Sequence, residues 1–155
     1  MNKKILITRS GYKDLKSELD DLIRNKRREV AERLKEAKDF GDLTENSEYE
    51  DAKNEQAFIE GRILQINDIL SKAEIVSERH NAKSVKIGSS VTLKNISSNE
   101  TVKYRLVSSI ESDPLNDKIS YESPLGISII NKKIGETVKV EVPAGVIKYE
   151  ILDID

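Results

Sequence analysis

The sequence predicts an α+β protein: an N-terminal antiparallel helical hairpin of the coiled-coil kind, followed by a C-terminal β-rich domain. Three observations predict it. Residues 1–77 hold no proline and only three glycines, Gly11, Gly41 and Gly61. Apolar residues in that stretch recur at alternating steps of three and four, the seam of paired helices. From Ser84 onward the pattern changes: all three prolines and Gly88, Gly126, Gly135 and Gly145 punctuate short β-branched runs such as 91–93 and 138–142. The expected division is a hairpin over 1–77, a polar linker over 78–83 and a second domain over 84–155.

The first helix of the hairpin offers Leu15, Leu19, Leu22, Ile23, Val30, Leu34 and Ala37, with its seam interrupted around Lys26 and Arg27. The second offers a more regular set, Tyr49, Ala52, Gln56, Ile59, Ile63, Ile66, Leu70 and Ala73. Residues 40–46 between them are too few to do anything but fold the helices back on each other. Pairing at equal distance from the turn sets Leu34 near Ala52, Val30 near Gln56, Ile23 near Ile63 and Leu15 near Leu70. Ser47 with Glu50 reads as a capping box for the second helix, and Gly41 suits the left-handed residue that ends the first. At 1.5 Å per residue, the arm of residues 11–40 is about 45 Å long. Its outer half is lined by the small or polar Ala37, Ala52 and Gln56, so the arm is slender there.

Residues 39–51 carry six acids, Asp39, Asp42, Glu45, Glu48, Glu50 and Asp51, and no base. Glu48, Glu50 and Asp51 are explained as acids at a helix N-terminus. Asp42 and Glu45 fall in the turn at 41–46, where neither can pair across the hairpin and both can point off its end. Their oxygens suit a hard divalent cation. Mg²⁺ demands near-octahedral geometry, however, and two acids on a loop bind it weakly. A partner has to complete the site, in the manner of two-metal phosphoryl-transfer centres.

Composition excludes several other classes. The net charge is −2 and the pI near 5.6, so any nucleic-acid role is local or indirect rather than that of a strongly basic domain. There is no cysteine, hence no disulfide framework or thiolate metal site, and a reducing cytoplasm is the simplest home. No stretch reaches the roughly 18 apolar residues of a membrane span, and the N-terminus has no signal-length apolar run. A cytoplasmic monomer is expected. His80, the sole histidine, has no clustered partner for metal binding or catalysis. No serine or threonine has a recognisable paired base. Tyr104, Leu106, Ile127, Ile130 and Ile151 read as core of the second domain.

The string Gly41-Asp42-Leu43-Thr44-Glu45-Asn46-Ser47-Glu48-Tyr49, followed by Ala52-Lys53 and Glu60-Gly61-Arg62-Ile63, resembles the GreA/GreB family of transcript-cleavage factors. The likeness continues in Thr8, Gly11 and Leu15, and in Ser123-Pro124-Leu125-Gly126 and Lys132-Lys133-Ile134-Gly135. The resemblance implies a coiled coil that enters the secondary channel of bacterial RNA polymerase and an FKBP-like C-terminal domain seated on the channel rim. It also implies that the polymerase does the cutting, while Asp42 and Glu45 help hold a second Mg²⁺ and position the attacking water. The substrate is then the 3′ segment of backtracked RNA, and the chain is an accessory factor rather than a free-standing enzyme.

Lys38, Lys53, Leu43 and Asn46 are the candidate contacts to RNA and polymerase. Lys38 and Lys53 are the only bases near the tip, which favours the GreA over the GreB type. Arg24, Lys26, Arg27 and Arg28 read as a solvated helical face. The sequence departs from the family at Asn131, where glycine is usual, and at Ala144, where Pro-Gly-Gly is common. Two alternatives use the same shape: an inhibitor that occupies the channel without stimulating cleavage, and a helical-hairpin interaction protein whose acids only solubilise it. Prolyl isomerase activity is not expected, because both phenylalanines, Phe40 and Phe58, lie in the helical half and leave no aromatic-lined pocket in the second domain.

Overall fold

A computed structural model of the chain describes residues 4–39, 47–76 and 83–155. By their contacts the residues group into two compact units, one of residues 12–73 and the other of residues 4–11 with 74–155.

In the first unit, helix α1 (Arg9–Asp21) runs into a π-helical turn, Leu22–Lys26, and on into α2 (Arg27–Asp39); α3 (Ser47–Lys72) returns antiparallel. The π turn explains the interrupted seam. Leu22 and Val30 are eight positions apart, one more than a heptad. A π turn takes up one extra residue, and the Arg27 N–H donates to the Leu22 carbonyl five positions back. Both halves of the hairpin's first arm therefore present their apolar faces to α3. Leu22, Val30, Ala52, Ile59, Ile63 and Ile66 form one buried cluster, flanked by Leu15, Leu19, Leu34 and Leu70.

The same turn corrects one pairing. Ile23, expected opposite Ile63, is 42% exposed, and Leu22 takes its place in the seam. Of the α3 positions expected in the seam, Ala52, Ile59, Ile63 and Ile66 are buried and Tyr49, Gln56 and Leu70 are half-buried. Ala73 lies past the helix, in a short strand. Among the described residues, ion pairs cross the hairpin between Arg33 and Glu55, from Arg27 Nε to Glu60 Oε1 at 2.7 Å, and from Arg62 Nη2 to Glu18 Oε1 at 2.7 Å. Charged groups outside a narrow seam thus reinforce its register.

The second unit begins with strand β1 (Ile5–Ile7), which forms a two-stranded sheet with β2 (Ala73–Ile75). The Val76 N–H donates to the Ile7 carbonyl at 2.9 Å. Neither strand follows from the helical pattern of residues 1–77. Each is three residues long, too short for a period to show.

The main sheet contains β3 (Ser90–Asn95), β4 (Thr101–Val107), β5 (Lys118–Ser120), β6 (Thr137–Val142) and β7 (Gly145–Ile154). Their spatial order is β5-β4-β3-β7-β6, antiparallel except for the β4/β5 pair. Alternation along the strands buries Val91, Leu93, Val138, Val140 and Ile151 on one face. The short helix α4 (Pro124–Ile129) covers that face with Ile129. Leu106 and Ile151 are buried as expected, and Tyr104 and Ile130 are half-buried. Ile127 is not core: it is 63% exposed, because α4 turns Gly126 and Ile129 toward the sheet.

Two family motifs have plain structural reasons. Ser123 caps α4, its Oγ accepting from the Gly126 N–H at 3.1 Å, with Pro124 in the first turn. A Cβ on Gly126 would strike the Ser120 carbonyl and lie 2.8 Å from Tyr121 Cα. Asn131 takes φ 65°, so asparagine serves the left-handed position in place of glycine. Between β6 and β7, Gly145 has φ 133° and Ala144 needs no positive φ.

Candidate functional site

The tip candidates Asp42, Glu45, Leu43 and Asn46 lie outside the described residues, as does His80. What is described is the mount. Helix α2 runs as far as Asp39 and α3 starts at Ser47, so both arms of the hairpin reach to within one turn of the acidic string. Ala37 and Ala52 are buried at 5% and 0% exposure, where short side chains let the two helices come close. Glu48 and Glu50 stand in the first turn of α3, favourable positions at the positive end of a helix.

The two candidate lysines behave differently. Lys53 Nζ lies 5.8 Å from the centre of the Tyr49 ring, one turn earlier on the same helix. Its charge is thereby held beside the start of α3. Lys38 is exposed in the last turn of α2, favourable at the negative end of that helix.

Farther along, Arg24, Lys26, Arg27 and Arg62 are engaged within the hairpin. Arg24 pairs with Asp20 at 2.7 Å, Lys26 with Glu29 at 3.7 Å, and Arg27 with Glu60. Hydrogen bonding from Arg27 holds the Glu60 carboxyl below its ordinary range, and the guanidinium is raised in turn. The guanidinium of Arg62 is likewise raised, chiefly by its hydrogen bonds to Glu18. Arg27 and Arg62 thus tie the two arms together, whereas Arg24 and Lys26 pair locally along the first arm.

Among the described residues, no group of three or more His, Cys, Asp or Glu side chains could hold a metal. A surface groove of about 430 Å³ on the second unit is lined by Pro124, Ile127, Ser128, Lys139, Glu141 and Val146, with no aromatic residue. No described helix is long and apolar enough to cross a membrane.

Both halves of the chain match family models. Residues 5–75 match the N-terminal domain of transcription elongation factors, and residues 80–155 match the GreA/GreB C-terminal domain. The chain belongs to the GreA/GreB family of transcription elongation factors. It is 51% identical over 155 residues to transcription elongation factor GreA of Caldanaerobacter subterraneus subsp. tengcongensis, covering 99% of each chain. It is 50% identical over 154 residues to GreA of Clostridium botulinum, covering 99% of this chain and 96% of the relative. Among solved structures, GreA factor homolog 1 of Thermus thermophilus is 30% identical, with 99% of each chain covered and a TM-score of 0.45.

One cluster in this GreA/GreB chain escaped the sequence reading. Thr8, which is fully buried, gives its N–H at 3.1 Å and its hydroxyl to the carboxylate of Glu111. Thr8 Oγ1 also accepts from the Gly11 N–H at 3.1 Å, capping α1. Thr8 and Gly11 already stood out in the sequence. Glu111, 103 positions away from Thr8, carried no signal.

Proposed function

We propose that this chain stimulates RNA polymerase to cleave backtracked RNA, with Asp42 and Glu45 delivered to the polymerase active centre on the end of the hairpin. The observation that carries this reading is the complete string from Gly41 to Tyr49, set between two helices that both extend to its edges. Family membership supports the process, and the small number of carboxylates in the turn, two for an ion that takes six ligands, supports the dependence on a partner.

The donor set fits Mg²⁺ in kind but not in number: carboxylate oxygens are what the ion takes, and two are too few for it. Asp42 and Glu45 would hold it together with the polymerase's own ligands. Bound there, Mg²⁺ supplies charge neutralisation at the scissile phosphate and an acidified water.

The chain's own contribution is placement. Asp42 and Glu45 together would present oxygen ligands and a hydrogen-bond acceptor that positions the attacking water. Lys38, in the last turn of α2, and Lys53, in the second turn of α3, would offset phosphate charge on the RNA, and Leu43 and Asn46 would contact the channel wall or the RNA. The polymerase breaks the phosphodiester bond, so the chain is a cofactor protein and not an enzyme alone.

The test is a stalled, backtracked elongation complex with Mg²⁺, to which the wild-type chain is added while RNA length is followed. Shortening from the 3′ end is the expected result. Slowed nucleotide addition with no shortening would instead establish a channel-blocking inhibitor.

A further inference from the structure

The side of α3 turned away from the first arm carries a patch that the hairpin itself does not use. At 3.6 residues per turn, the positions opposite the buried seam of Ile59, Ile63 and Ile66 are Ala57, Phe58, Gly61, Leu64 and Gln65, and all five are exposed. Phe58 and Leu64 are each 72% exposed. The neighbouring charges, Glu60 and Arg62, are paired with Arg27 and Glu18 across the hairpin. The patch therefore has no charge of its own. The exposed side of the first arm is the opposite, with Arg28, Glu32, Lys35 and Glu36.

Gly61 is a second, independent observation. It stands inside a helix of 26 residues, where glycine weakens the helix relative to alanine. A Cβ at this position would meet nothing within 4 Å, and its φ is not positive. Neither packing nor backbone conformation within the chain asks for glycine here. What the missing Cβ provides is room on the outside: with Ala57 one turn before, it leaves a low floor along the helix between the Phe58 and Leu64 side chains.

We infer that this face of α3 is a docking surface for an apolar α-helix of RNA polymerase, received over Gly61 and gripped by Phe58 and Leu64. Helices pack by setting a ridge of one into a groove of the other, and a low floor between two ridges is such a groove. A face without charge cannot hold a phosphate backbone, which sets RNA and DNA aside as the occupant. A second copy of the chain is set aside by area: four large side chains, two from each copy, cover at most about 800 Å², short of the roughly 1,200 Å² of a stable interface. A partner that meets the arm on several sides needs only part of its contact here. The polymerase is that partner on the function proposed above, and the inference rests on that reading. About 21 Å of helix separate Gly61 from Ser47 at the start of α3, so the contact concerns the body of the arm and not the reacting centre.

The experiment uses the full-length chain and measures polymerase binding by competition, beside RNA shortening in the backtracked complex. Phe58→Ala and Gly61→Leu are each expected to raise the half-saturating concentration by about tenfold, with the rate at saturation within about twofold of wild type. Gly61→Ala separates docking from folding. It should raise the Tm of the helical transition and still weaken binding by about threefold. A benzophenone side chain placed at Leu64 should crosslink to a polymerase subunit, and D42A/E45A, which keeps this face, should bind as wild type does.

Unchanged binding in Phe58→Ala and Gly61→Leu would overturn the inference, as would crosslinks to RNA or to a second copy of the chain in place of the polymerase. So would a lower Tm in Gly61→Ala, which would give the glycine a role inside the fold. A wild type that binds polymerase without shortening RNA would instead remove the reading of the tip and leave this surface standing.

Discussion

The hairpin and the sheet domain solve opposite problems with the same residue types. In the sheet domain, Val91, Leu93, Leu106, Ile129 and Ile151 are buried on all sides in one cluster, and backbone ladders set the register. In the hairpin the buried set is a line, Leu22, Val30, Ala52, Ile59, Ile63 and Ile66, with only the half-buried Leu15, Leu19, Leu34 and Leu70 packed against it. There the register depends on side chains: a π turn that realigns Leu22 with Val30, and ion pairs such as Arg33 with Glu55. A line of contacts stabilises less per residue than a cluster, but it reaches farther. The 26 residues of α3 span about 39 Å.

The largest effects should come from truncating either core. Ile151→Ala and Ile66→Ala, both at fully buried positions, should each cost about 2–5 kcal/mol. Denaturant unfolding should show Ile151→Ala lowering the sheet transition while helical signal persists, and Ile66→Ala doing the reverse. A single common shift in both variants would break the comparison, since the two units would then be one cooperative body. Gly126→Ala comes next. Its Cβ meets backbone at Ser120 and Tyr121 rather than a yielding side chain, so a loss of about 1–3 kcal/mol is expected in the sheet transition alone.

Deleting Asn25 sharpens the account of the hairpin. The deletion turns the eight-residue step from Leu22 to Val30 into a heptad, so an unbroken α-helix should form with stability within about 1 kcal/mol of wild type. Amide exchange across 22–27 would detect the change, and loss of the hairpin's helical signal would count against the realignment. The smallest effect belongs to Glu60→Gln. Because Arg27 depresses the Glu60 carboxyl in the folded state, the pair stabilises above the unfolded value near about 4.3 and is lost as pH falls through the lower folded value. Wild type and Glu60→Gln should therefore differ near neutral pH and converge in acid. The helical transition followed at several pH values checks this.

The two regions also differ in what their residues reveal beforehand. The hairpin's second helix could be read almost position by position, because one buried line on a long helix imposes a period that many residues repeat. The π turn appeared only as a gap near Lys26 and Arg27, since one extra residue has no signature until the helix is seen to absorb it. Strands β1 and β2 were hidden by their length. In the sheet domain the β-branched runs marked strands, and Asn131 stood out only as a departure from glycine until its φ of 65° was seen. Ile127 misled because an apolar residue on a one-and-a-half-turn helix has no period to show which way it faces. Glu111 was unreadable for a different reason: its partners are brought to it only by the fold. The acidic turn was read from motif and charge, and residues 40–46 lie outside the described part of the structure.

On the function proposed above, the hairpin carries Asp42 and Glu45 into an active centre that belongs to the polymerase. The most direct measurement sets wild type beside D42A/E45A on the same backtracked elongation complex, with polymerase binding measured in parallel by competition. Rapid RNA shortening is expected with wild type, shortening near the polymerase's own background with the double variant, and equal binding by both. Equal shortening by the two proteins would contradict it.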